Sequence, residues 1–152
     1  VTPVYDPAIK GEMKRIVETV RRWWPSGLVL CAVLWLTLAP DPAPDVSVPM
    51  WLGKYADKVV HAVMMGGLTG AIIFDYMRKR DEGRGREMSR GALALVAVGM
   101  LVFSALDEWA QGAMHLGRTA DPLDWVADAT GIVLAVVLAP GVCGWVIRNS
   151  RV

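Results

Sequence analysis

Apolar and polar positions separate into long blocks along this chain. Trp23–Pro40 and Gly91–Leu106 carry no charged residue, Val59–Phe74 carries His61 as its one ionisable group, and Trp125–Ile147 is interrupted by Asp128 alone. The blocks run from 16 to 23 residues, against the roughly 17–25 that a helix needs to cross a bilayer. A helix of a water-soluble bundle would show charges along its outer face every third or fourth residue. These blocks lack them on every face, so their surroundings are lipid or other apolar helices. The pattern predicts an all-α integral membrane protein with four transmembrane helices.

Ahead of the first block, Ile9, Met13, Ile16, Val17, Val20 and Trp24 recur at helical spacing, with Lys14, Arg15, Arg21 and Arg22 on the remaining surface. This predicts an amphipathic helix lying on the inner leaflet, with residues 1–22 as a cytoplasmic segment and 23–152 as the transmembrane domain. A helical extension of span one is the alternative, and Pro25 argues against it, since proline suits only the start of a helix. The first block runs into Ala39-Pro40-Asp41-Pro42 without a small-x-small pattern, so it is expected to be retained rather than cleaved. Small residues four apart, Ala62/Gly66/Gly70 in span two and Ala127/Gly131/Ala135 in span four, allow close helix contact. Pro140-Gly141 predicts a kink or an end to span four.

Composition by itself hides this organisation. Of 152 residues 54% are hydrophobic and 20% charged, with a formal net charge of +1. Those values exclude a disordered chain and lack the basic excess of a nucleic-acid binder. Two cysteines, both in apolar blocks, are expected to be free thiols. The placement of basic residues is more telling. Five lie in residues 1–26 (Lys10, Lys14, Arg15, Arg21, Arg22), six between blocks two and three (Arg78, Lys79, Arg80, Arg84, Arg86, Arg90), and two after block four (Arg148, Arg151). The other two connections hold only Lys54, Lys58 and Arg118. By the positive-inside rule both termini and the central loop are cytoplasmic.

That topology gathers the remaining ionisable groups on the outer side. Asp57, Lys58 and His61 open span two; Asp107, Glu108 and Gln111 close span three; Asp124 and Asp128 open span four, with Arg118 and Asp121 in the loop before it. Charge this near hydrocarbon is costly, so the groups should face one cavity and pair with each other. Six acids against Lys58 and Arg118 imply protonated carboxyls or a bound cation. The inner halves of the spans offer only Thr69, Ser104 and Asp75, which argues against a transport path.

The series Asp57-Lys58-x-x-His61, then Glu108-x-x-Gln111, then Arg118, Asp124, Asp128 and Gly131 resembles the VanZ-like membrane proteins, whose pattern reads DKxxH, ExxQ and R…D…N…G. The resemblance covers about residues 51–135, and Asp128 stands where the family has Asn. It implies a shared site of Asp57, Lys58, His61, Glu108, Gln111, Arg118 and Asp124, with Asp128 in place of the Asn. It also implies a multi-pass protein of the bacterial cytoplasmic membrane that lowers susceptibility to teicoplanin, a glycopeptide with a lipid tail; it carries no assigned reaction.

Two readings of the cluster stay open: a helix-end network pinned by Arg118 on a carboxylate, and a working site. In the second, Lys58 or Arg118 holds an anionic group of a lipid, glycopeptide or lipid-linked envelope precursor, and Glu108 or His61 transfers protons. His61 is expected to pair with Asp57. No Ser or Cys nucleophile is expected at the cluster, which leaves acid–base or metal-assisted chemistry if the protein is an enzyme. A metal site of His61, Glu108 and Asp128 lacks a Glu-x-x-His or His-x-x-x-His signature. No metal, cofactor or nucleic-acid partner is expected.

Overall fold

The computed structural model describes residues 7–38, 50–81, 88–114 and 121–150, with side chains for 9–38, 55–78, 88–114 and 121–150. These residues form four helices, α1 (Pro7–Leu38), α2 (Met50–Asp81), α3 (Arg90–Met114) and α4 (Pro122–Asn149). Stretches Tyr55–Arg78, Arg90–Met114 and Pro122–Asn149 are each long and apolar enough to cross a membrane. Their outer faces bear large exposed apolar side chains, among them Val63, Leu95, Trp109 and Val137, which suits contact with lipid chains.

The helices run up, down, up, down. Ser26 of α1 meets Asp75 of α2 while Thr37 meets Asp107 of α3, and Glu108 meets Asp121 while Ser104 meets Asp128. Helix α2 touches all three others and lies closest to α4. The cause is the small-residue pair. A Cβ added to Gly131 would land on the carbonyl of Ala62, 2.8 Å from its carbon, and one added to Gly66 would sit 3.0 Å from the Gly131 oxygen. Two backbones therefore touch where side chains would hold them apart. Gly70 has open space around it instead and takes no part. The core beside this contact is Val33, Met65, Leu68, Met100 and Ile132.

Two ends are fixed locally. Ser89 caps α3, its Oγ accepting from Ala92 N at 3.3 Å, and Met88 beside it is buried in a cluster with Ile73 and Cys143 against which Leu93 packs. Asp121 caps α4, accepting from Leu123 N at 2.9 Å, with Pro122 next.

Both prolines lie inside helices, which corrects the expectation at Pro25 and the expected end at Pro140. Helix α1 continues through Pro25 and α4 through Pro140. The boundary expected at residue 22 therefore falls inside α1, which runs unbroken from the amphipathic stretch into the first apolar block. At Pro25 the reason is visible. Proline has no N–H, which leaves the Arg21 carbonyl without its helical donor. Arg78 of α2 supplies donors instead: its Nη2 lies 2.7 Å from Arg22 O and 3.4 Å from Arg21 O. The Ser26 N–H in turn donates to Asp75 Oδ2 at 3.0 Å. The neighbouring helix completes what the proline breaks. Cys31 and Cys143 are both free thiols.

Candidate functional site

At the end of the bundle opposite Arg78, four helix ends bring polar side chains together. Asp128, 1% exposed, lies deepest. Its Oδ2 accepts from Ser104 Oγ at 2.6 Å, and its Oδ1 lies 3.1 Å from His61 Nδ1. His61 is 4% exposed, and its Nε2 has no partner among the described residues. A ring nitrogen held by a carboxylate fixes the orientation of the imidazole and turns the other nitrogen toward whatever lies in front of it.

One turn closer to the mouth, Lys58 Nζ donates to Asp124 and, at 2.6 Å, to Asp121 Oδ2, with Asp57 Oδ2 at 3.6 Å. Asp121 is the hinge of this layer. Its carboxylate caps α4 and meets Lys58, while its N–H donates to Glu108 Oε1 at 2.6 Å. Lys58 holds its carboxyl below the ordinary range, and the Leu123 N–H adds to that. Glu108 is 8% exposed, and its Oε2 is buried without a hydrogen-bond partner among the described residues. Such an oxygen forfeits solvation with nothing in exchange. To one side, Asp107 Oδ2 accepts from Gln111 Nε2 at 3.2 Å, and its Oδ1 lies 3.0 Å from Thr37 Oγ1. Thr37 is also 3.0 Å from Val33 O; a hydroxyl has one proton, so it serves one acceptor at a time.

Asp57, Lys58, His61, Asp107, Glu108, Gln111, Asp124 and Asp128 are thus brought to one end of the bundle. Arg118 lies outside the described residues. Three sequence expectations change. His61 pairs with Asp128 across two helices, and not with Asp57, whose side chain is 66% exposed. Lys58 is engaged by carboxylates and is not held ready for an anion. Ser104 belongs to this cluster rather than to the inner half, because antiparallel α3 and α4 set it beside Asp128. It is no nucleophile all the same. It is fully buried, and the order Ser104–Asp128–His61 puts the carboxylate, not the imidazole, on its hydroxyl.

Thr37 and Ser104 escape a sequence reading because each sits inside an apolar run, where a hydroxyl usually bonds back to its own helix. Thr69 does so, donating to Met65 O at 2.7 Å. The chain matches no known family model, no curated protein and no solved structure.

Proposed function

We propose that this chain is a VanZ-like membrane protein of the bacterial cell envelope that lowers susceptibility to lipid-tailed glycopeptides of the teicoplanin kind. In this reading all four helices cross the cytoplasmic membrane with both termini inside, and the cluster around Asp128 opens outward. The apolar stripe from Ile9 to Val20, exposed along α1, meets the inner-leaflet headgroups between basic residues. The observation that carries the reading is the open state of the cluster among the described residues: a buried carboxylate oxygen of Glu108 without a partner there, at the bundle end farthest from the basic loops. A purely structural network would close its hydrogen bonds. The same feature supports the runner-up, a membrane enzyme acting by acid–base or metal-assisted chemistry on a lipid-linked envelope substrate, for which the Asp128-oriented His61 is the natural base.

The test is growth inhibition by teicoplanin and vancomycin, side by side, in cells carrying the wild type or Glu108→Gln at matched membrane abundance. Protection against teicoplanin alone, lost in Glu108→Gln, supports the reading. No protection against either drug overturns it. Orientation is read separately from Arg84→Cys with Cys31 and Cys143 replaced by Ala: labelling from the cytoplasmic side is expected, and labelling from outside would reverse the topology.

A further inference from the structure

We propose that the mouth of the polar cluster is a site for a divalent transition-metal ion, bound by Asp57, His61 and Asp124. One ligand atom from each lies within 4.8 Å of the others. Ligands about 2.0–2.2 Å from a tetrahedral metal stand roughly 3.3–3.6 Å apart, so the three need to close by at most about 1.5 Å. Asp57 can supply that movement, since its exposed side chain spans no helix contact stronger than the 3.6 Å approach to Lys58.

Three further features point the same way. His61 carries the second-layer carboxylate that metal-binding histidines use: Asp128 holds Nδ1 and leaves Nε2 for the ion. Among the described residues, six carboxyls face one ammonium and one imidazole, and Lys58 is already divided between Asp121 and Asp124. A divalent ion is the compact way to offset that surplus. Glu108, tied through Oε1 to the N–H of Asp121 three residues before Asp124, brings to the same bundle end a second oxygen that is buried and without a hydrogen-bond partner among the described residues. It is a further donor for an ion or its bound water. One imidazole with carboxylates suits zinc, manganese or iron better than the all-oxygen sites of calcium or magnesium. The site stands apart from the resistance reading and holds or fails without it.

The experiment uses the full chain in detergent with Cys31 and Cys143 replaced by Ala, so that thiols take up no metal. After chelation the protein is titrated with Zn²⁺ or Mn²⁺, desalted, and its metal content measured; Co²⁺ loading gives a visible spectrum. One ion per chain is expected. Asp57→Asn should weaken binding at least tenfold while leaving the fold intact, because Asp57 is exposed. Asp128→Asn should weaken it about 10–100-fold through the orientation of His61. A wild type that retains no ion, or equal retention in the wild type and Asp57→Asn, overturns the proposal.

Discussion

At the Arg78 end of the bundle one buried carboxylate, Asp75, meets matched partners: the N–H and hydroxyl of Ser26 on one oxygen, the guanidinium of Arg78 on the other. At the Asp128 end, six carboxyls among the described residues share Lys58, His61 and three neutral side chains, and one Glu108 oxygen has nothing. Both clusters sit at the rim of an apolar bundle, and both carry polar groups into low dielectric. The first closes its charges and hydrogen bonds, and all of its atoms are accounted for by holding α1 to α2. Among the described residues, the second keeps more carboxyls than cations and an open acceptor. Closure marks a clasp, and openness is what the proposed site rests on.

The comparison breaks most completely where the outer cluster depends on backbone contact. Gly131→Ala pushes a methyl into the Ala62 carbonyl, so α2 and α4 must separate next to His61 and Asp128. The expected loss is about 3 kcal/mol, measured by thermal unfolding in detergent. Gly70→Ala, with open space around it, should be neutral or gain up to about 1 kcal/mol from helix propensity. Amide exchange separates the two ends in the Gly131 variant: the Asp121 amide loses protection and the Ser26 amide keeps it. Equal loss at both would show that the ends do not act independently.

The clasp is next in size. Asp75→Ala leaves the Ser26 donors and part of Arg78 unmatched and should cost about 2 kcal/mol, whereas Asp75→Asn, which keeps an acceptor, should cost about half as much. The repair of Pro25 gives a sharper test. Pro25→Ala restores a donor to Arg21 O, so Arg78→Ala should cost less in that background than in the wild type. The expected coupling in a double-mutant cycle is about 1 kcal/mol. No coupling would mean that Arg78 has no part in mending the helix.

How much of this is legible in the sequence differs between the two ends. The outer cluster is readable because its acids and Lys58 interrupt apolar runs at helix ends, and alternating spans bring those ends together. Four-residue spacing of small residues makes close packing of α2 and α4 readable but not the partner: Gly66 meets Gly131, while Gly70, with the same spacing, has open space around it. The clasp is not readable. Pro25 marks a break in one helix, and only tertiary packing places Arg78 and Asp75 where the break needs them. Partner choice is the other blind spot. Asp57 is four residues from His61 on one helix, yet the deeper Asp128 takes the imidazole because α2 and α4 touch.

Thr37 tests how far the outer cluster extends onto α1. Thr37→Val removes the hydroxyl beside Asp107 while keeping shape and volume, and should cost about 1 kcal/mol. The same change at Thr69, whose hydroxyl serves only its own helix, should cost less. Equal costs would detach α1 from the site.

The smallest effect separates the Lys58 layer from the buried layer beneath it. Asp121 has its carboxyl held below the ordinary value of 3.8, first by Lys58 and then by the Leu123 N–H. A depressed folded-state pKa means that the unfolded chain takes up the proton first as pH falls. The contribution of Asp121 to stability is therefore complete above its unfolded value and is lost as pH drops through the folded one. Asp121→Asn keeps an acceptor to cap α4 but has no charge to titrate. Its melting temperature should fall less than that of the wild type between about pH 5 and pH 3, a window set by the unfolded Asp value of about 3.9. In Lys58→Met, removal of the ammonium should flatten the wild-type slope in the same way. A slope unchanged by either substitution would place the acid sensitivity in the buried carboxyls around Asp128 instead of the Lys58 layer.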